Sequence, residues 1–101
     1  MKETEKIIKF KIKNFTVYKM SIEQCVRIFN GLGICDSCND FTTEGYYIPI
    51  LNSYYCEECY NDFIKTSIYY YEDEFFELWH IKEVERICKK LKIIVEEKEQ
   101  I

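Results

Sequence analysis

Between residues 6 and 19 apolar and charged side chains alternate. Ile8, Phe10 and Ile12 fall on one face, and Lys9, Lys11 and Lys13 on the other. Period two with β-branched and aromatic residues predicts a half-exposed strand or a short hairpin. The lysines then read as a solvated face that blunts a sheet edge. At Ser21 the period changes. Ile22, Cys25, Val26, Ile28 and Phe29 recur at helical steps, Ser21-Ile22-Glu23-Gln24 has the form of a capping box, and Asn30-Gly31 supplies a stop, so a helix is expected over 22–30. Residues 41–55 predict a β-hairpin: Phe41-Thr42-Thr43 and Tyr46-Tyr47-Ile48-Pro49-Ile50 are broken at Glu44-Gly45, with Pro49 on an edge and a second turn at Asn52-Ser53 before Tyr54-Tyr55. From Glu57 the pattern is helical again, through Cys59, Tyr60, Phe63, Ile64, Ile68 and Tyr71. A further helix is expected from Glu72-Asp73, whose acids suit a helix start. Its stripe is Phe76, Trp79, Val84, Ile87, Leu91 and Ile94, fading into Glu96-Glu97-Lys98-Glu99.

These elements fit one domain, since 101 residues is close to the commonest domain size. With 48% hydrophobic residues the chain has material for a core. No apolar run approaches the roughly 18 residues of a membrane span. The charged start, Met1-Lys2-Glu3-Thr4-Glu5-Lys6, is not followed by the apolar stretch of a signal peptide, so a cytoplasmic location is expected. Alanine is absent, while Ile, Lys and Tyr are abundant, a bias toward A/T-rich codons that suits a bacterial, phage or mobile-element origin.

Charge is unevenly placed. Residues 1–20 carry six Lys against two Glu, a balance of +4, whereas residues 31–80 carry one Lys against ten acids, a balance of −9. A phosphate-binding surface in that second stretch would work against its own field.

The sharpest chemical signal is the spacing of four cysteines. Cys35-Asp36-Ser37-Cys38 and Cys56-Glu57-Glu58-Cys59 form C-x2-C-x17-C-x2-C, a spacing that reads as a four-thiolate zinc site. Four sulfurs complete a tetrahedral shell and leave no position for water or substrate, so the expected Zn²⁺ is structural. Asn39 follows the first pair and tolerates the left-handed turn of a metal knuckle. The second pair opens a helix, where Glu57 and Glu58 favour the first turn. Knuckle, hairpin and a pair at a helix start resemble the treble-clef zinc finger of LIM and GATA-type domains, over roughly residues 33–70. The resemblance implies Cys35, Cys38, Cys56 and Cys59 as ligands. It departs from the GATA type in carrying Glu, Asn and Asp after the second pair where that type carries basic residues, which argues against DNA binding. The fold class expected is therefore α+β, a small single domain: a basic strand region at 1–20, a short helix at 21–32, a treble-clef zinc unit at 33–70 and a long C-terminal helix at 72–97.

Catalysis finds little support. His80 is the lone histidine, and the chain has no nucleophile elbow, no H-E-x-x-H and no Gly-rich phosphate loop. Cys25 and Cys88 lie on apolar stripes and read as core thiols. Thirteen aromatic residues fall between 41 and 80. Neighbours on a strand point to opposite faces, so part of each tyrosine pair is expected at the surface, where Tyr and Trp anchor interfaces. The candidate partner surface comprises Tyr46, Tyr47, Tyr54, Tyr69, Tyr70, Glu72, Asp73, Glu74 and Glu77. The function expected is a non-catalytic, zinc-stabilised protein-binding module acting through an acidic, tyrosine-rich surface. One alternative is a phage or mobile-element inhibitor, anti-CRISPR-like in being small and acidic, that blocks the nucleic-acid channel of a host enzyme. A second is direct nucleic-acid binding through the N-terminal lysine strand, which the charge disfavours. The oligomeric state is left open.

Overall fold

The computed structural model describes residues 5–31 and 33–99. The first four residues of the expected basic region and Leu32 of the expected 21–32 segment lie outside it. The chain opens with a hairpin, β1 (Lys6–Ile12) and β2 (Phe15–Ser21). Lys13 and Asn14 at its turn both have positive φ, 50° and 73°, the twist that a two-residue hairpin loop requires. Helix α1 (Ile22–Phe29) follows at once. The capping box is formed: the Gln24 N–H donates to Ser21 Oγ at 3.2 Å, and the Ser21 N–H donates to Gln24 Oε1 at 2.9 Å. Asn30 closes the helix in the left-handed conformation at φ 55°. After the first cysteine pair come β3 (Glu44–Ile48) and β4 (Ser53–Tyr55), then α2 (Glu57–Thr66). A single 3-10 turn at Tyr71–Asp73 leads into α3 (Glu74–Leu91), and β5 (Ile94–Glu97) is the last element among the described residues.

The five strands form one sheet in the order β4-β3-β2-β1-β5. All neighbours are antiparallel except β1 and β5. Both faces are covered. On one, Ile7, Tyr18, Met20, Tyr47 and Tyr54 meet Cys25 and Ile28 of α1 and Val84 and Cys88 of α3. On the other, Phe15, Val17 and Ile48 meet Tyr60 of α2, with Phe10, Ile12, Tyr46 and Tyr55 packed around them. The molecule is thus a three-layer α+β domain with two small cores divided by the sheet.

Two glycines are fixed by close approach. At Gly33, φ is +71° and a Cβ would come within 2.6 Å of Ile22 Cγ1, so the loop after α1 lies tight on that helix. At Gly45 a Cβ would come within 2.6 Å of the Tyr55 carbonyl and 2.8 Å of the Tyr54 ring. The bare backbone lets the Tyr54 hydroxyl pass over β3 and donate to the Met20 carbonyl at 3.2 Å.

The structure departs from the sequence expectations in four places. First, the C-terminal helix does not run over 72–97. It stops at Leu91, Lys92 turns left-handed at φ 60°, and the Ile93 N–H donates to the Cys88 carbonyl at 2.8 Å. The β-branched run Ile93-Ile94-Val95 then pairs with β1 in parallel, Ile7 opposite Val95, which satisfies its backbone better than a last exposed helical turn would. Second, the lysine strand is not a sheet edge over residues 6–9, because β5 covers it. Third, α2 ends at Thr66, leaving Ile68 and Tyr71 outside any α-helix. Fourth, the hairpin is shifted: Phe41 makes only an isolated bridge to Ile34, the expected break at Glu44-Gly45 runs inside β3 because both residues pair with β2, and Pro49 sits buried in the turn between β3 and β4 rather than in an edge strand.

Candidate functional site

The cysteine cluster is assembled by three pieces of backbone. Ile34 bridges Phe41 across the first pair. The Cys35 N–H donates to the Asp40 carbonyl at 3.0 Å, and the Asn39 N–H donates to the Cys35 carbonyl at 2.8 Å, closing a tight loop in which Asn39 takes φ 63°. Cys56 is the N-cap of α2, and Cys59 lies one turn on, so the helix start presents both thiols to the loop. All four sulfurs lie within 4.8 Å of one another, with Cys38 Sγ and Cys56 Sγ 3.8 Å apart. Four thiolates at 2.3 Å from one zinc ion would be about 3.8 Å from each other, so the donor set fits a tetrahedral metal with small adjustment. Cys35 is fully buried, and the Ser37 N–H donates to its sulfur at 3.4 Å. Burial opposes ionisation of Cys35, but hydrogen bonds from the Cys38, Cys56 and Ser37 backbones outweigh it and hold the thiol down to about 7. These four residues are a four-cysteine cluster able to hold a metal ion.

The same loop closes the sheet. Asp36, between Cys35 and Cys38, accepts the Tyr54 N–H on its Oδ2 at 2.8 Å, and its own N–H donates to the Tyr54 carbonyl at 2.8 Å. The outer edge of β4 is thereby paired by the knuckle itself, so the cluster and the edge strand are held as one unit.

The expected partner residues divide sharply. Tyr47 and Tyr54 are 2% and 3% exposed in the first core, and burial holds both phenols above their ordinary range. Tyr46 points to the opposite face and stacks on Tyr60 at 4.0 Å and 10°. The reason is the second core: a strand with both faces covered buries neighbours on both sides. Glu77 is 3% exposed, accepting the Thr16 N–H at 3.0 Å and the Tyr69 hydroxyl at 3.1 Å. It ties the start of α3 to β2 and does not belong to the surface cluster. Tyr70, Glu72, Asp73 and Glu74 are exposed as expected. None of those three carboxylates has an ion pair among the described residues, whereas Glu83, Glu85, Glu96 and Glu97 in the C-terminal half all do.

The residues that sequence reasoning passed over lie beside them. Phe75 is 85% exposed, Tyr71 74% and Trp79 61%, with Phe76, Leu78 and Ile68 also at the surface. Helical spacing gave the signal for this, since Phe75, Leu78 and Trp79 share one side of α3, whereas the expected apolar stripe ran through Phe76 and Trp79 and left out Phe75 and Leu78. The ridge is held in shape: Tyr69, fixed by Glu77, meets Tyr71 edge-on at 5.5 Å, and the His80 ring packs on Phe76 at 4.4 Å and Trp79 at 4.9 Å. His80 Nδ1 lies 2.9 Å from the Phe76 carbonyl, a local packing role.

The lysine hairpin is largely occupied internally. Lys9 lies 2.7 Å from Glu85 and 3.4 Å from Glu97, Lys6 is 3.3 Å from Glu96, Lys19 is 3.5 Å from Glu44, and Lys13 donates to the Ile64 carbonyl at 2.6 Å. Cys25 and Cys88 are buried, with burial pushing their thiols up to about 12 and about 11. No helix among the described residues is long and apolar enough to cross a membrane. No protein-family model matches the chain, and neither a curated protein nor a solved structure is similar to it.

Proposed function

We propose that this chain is a non-catalytic protein-binding module, stabilised by Zn²⁺ in a treble-clef unit, whose binding surface is the aromatic, acidic ridge from Ile68 to Trp79. The observation that carries the reading is the ridge itself. Seven of the eleven large hydrophobic side chains exposed among the described residues fall between Ile68 and Trp79, the others being Val26, Phe41, Leu51 and Ile94, and a concentration of exposed apolar surface of this kind marks an interaction site. The zinc assignment is supported by four thiols at mutual distances close to those of a tetrahedral shell. Its treble-clef character is supported by the order of knuckle, β3–β4 hairpin and α2. Cys35, Cys38, Cys56 and Cys59 would hold the ion, whose part is to clamp α2 and the knuckle to the sheet. Direct nucleic-acid binding through the lysine strand has less support, because Lys6, Lys9 and Lys19 already face carboxylates and Lys13 is held on a backbone carbonyl. The inhibitor reading is the case in which the bound protein is itself a nucleic-acid-binding enzyme, and competition by nucleic acid would mark it.

The test is site-specific photocrosslinking of the zinc-loaded protein in host extract. A crosslinker at Phe75 should give a discrete protein adduct that one at Lys90, near the far end of α3, does not. Equal adducts at both positions, or nucleic acid as the species captured, would sink the proposal.

A further inference from the structure

Beside the ridge, under the segment that joins α2 to α3, lies a hollow of about 380 Å³. Its walls are mostly apolar, including Phe15, Leu51, Phe63, Ile68 and Tyr70, and Asp73 is the one charged residue lining it. Such a site suits a side chain with an apolar stem and a cationic tip. Lys65 precedes the lining residue Thr66 and Lys13 Nζ is held on the Ile64 carbonyl at 2.6 Å, but the α3 side of the hollow is acidic. From Thr66 to Ile81 the sequence contains no Lys or Arg, and Glu72, Asp73 and Glu74 stand exposed without an ion pair among the described residues. We infer that the ridge receives a basic segment of a partner protein, and that an arginine of that segment enters the hollow, its stem against Phe63 and Ile68 and its guanidinium between Tyr70 and Asp73. This rests on the protein-binding reading above and names the partner's chemistry.

Arginine is favoured over lysine by the geometry of the donors. A planar guanidinium pairs two N–H groups with one carboxylate and lies flat on a phenol ring, which a strongly hydrated ammonium does less well. Aromatic neighbours Tyr71, Phe75 and Trp79 then take apolar residues flanking that arginine. The same field argues against the other occupants. A second copy docked ridge to ridge would set its own three carboxylates against these, and an anionic membrane or a phosphate backbone would meet the same repulsion.

Trp79 is the sole tryptophan and stands on the ridge, so its emission reports binding directly. The experiment titrates the zinc-loaded full chain with a synthetic peptide of interspersed arginine and leucine, and with matched peptides carrying lysine or the neutral isostere citrulline. A saturable emission change is expected, weakest with citrulline by about tenfold or more, the weight of one charge-assisted hydrogen bond. Asp73→Asn should weaken the arginine peptide by a similar factor without unfolding the domain, because the Asp73 side chain makes no capping bond to α3. Leu51→Arg, which supplies a cation to the hollow from within, should do the same. Glu23→Gln, an exposed acid on α1 across the sheet from the hollow, should change nothing. Equal binding of the citrulline peptide, an unchanged affinity in Asp73→Asn, an equal loss in Glu23→Gln, or a dimer in sedimentation that Trp79→Ala dissociates would each overturn the inference. If the peptides fail while the Phe75 crosslink still yields a discrete protein adduct, the arginine assignment falls and the protein-binding reading stands. If both fail, both fall.

Discussion

The tyrosines of the β3–β4 hairpin and those of the α2–α3 junction have the same chemistry and opposite fates. Tyr47 and Tyr54 lie under α1 and α3, Tyr46 lies against α2, and Tyr70 and Tyr71 stand in solvent. Nothing in the residue type separates them. The hairpin strands run between two helical layers, so either direction of a side chain ends in a core. The junction runs past the end of α2, where no third layer covers it. What decides a tyrosine's role here is how many layers lie over its backbone.

The cysteine cluster should have the largest influence on that contrast. Removing the metal with a chelator, or substituting Cys35→Ser, is expected to cost most of the roughly 5–15 kcal/mol that holds such a domain together. The knuckle should release the β4 edge through Asp36. Tyrosine nitration mapped by mass spectrometry would show this: Tyr70 and Tyr71 should react in the loaded protein, and Tyr47 and Tyr54 only after metal removal. Reaction of Tyr54 in the loaded protein would erase the distinction.

Next in size is Tyr54→Ala, which empties a buried ring site and is expected to cost about 3–5 kcal/mol, read as a shift in denaturant midpoint. Below it stands Glu77→Gln. It keeps the shape but weakens the bonds to Thr16 and Tyr69, with an expected loss of about 1–3 kcal/mol. That variant also loosens Tyr69 beneath the ridge, so it should lower partner affinity together with stability.

A smaller effect is expected with pH around Glu85, which accepts from Lys9 and from the buried Tyr18 hydroxyl at 2.6 Å. Burial alone would raise the Glu85 carboxyl, but those hydrogen bonds outweigh it and hold it below its ordinary 4.5. Its contribution is present above that ordinary value and is lost as pH falls through the depressed one. Burial alone would lower Lys9, but Glu85 and Glu97 outweigh it and raise it above 10.5. Its contribution is present below 10.5 and is lost as pH rises through the raised value. Between those values this pair contributes evenly, and its acid limb should be less than about 1 kcal/mol deep, because the Glu85 side chain is partly solvated; Glu85→Gln should flatten that limb. Overall stability should begin to fall nearer pH 9, because burial holds the Cys25 and Cys88 thiols above their ordinary 9.0.

The smallest stability effect belongs to the ridge. Phe75→Ala and Trp79→Ala should move the denaturant midpoint by no more than about 0.5 kcal/mol equivalent, while reducing partner capture strongly. A large destabilisation from either would show that these rings are core after all.

The local signals along the chain were legible without a fold. The C-x2-C-x17-C-x2-C spacing placed the four thiols, because two residues between ligands bring both to one ion whatever surrounds them. Ser21-Ile22-Glu23-Gln24 and Asn30 placed both ends of α1, because a cap bonds only its own turn. Strand patterns interrupted by turns pointed to the β1–β2 hairpin and to β4 after Asn52-Ser53, but the break expected at Glu44-Gly45 falls inside β3. Three features depended on long-range partners instead. The C-terminal segment became β5 only because β1 offered it a ladder some ninety residues upstream, from Lys6 to Ile94. Lys6 and Lys9 of β1 became ion-paired only because β5 and α3 brought Glu85, Glu96 and Glu97 to them. The aromatic residues were sorted into core and surface only once a second helical layer closed the sheet's other face. Sequence alone determined what is decided within one turn or one metal shell. Which side chains meet solvent was settled by the packing of layers, since burial is a property of what lies opposite a residue rather than of the residue itself.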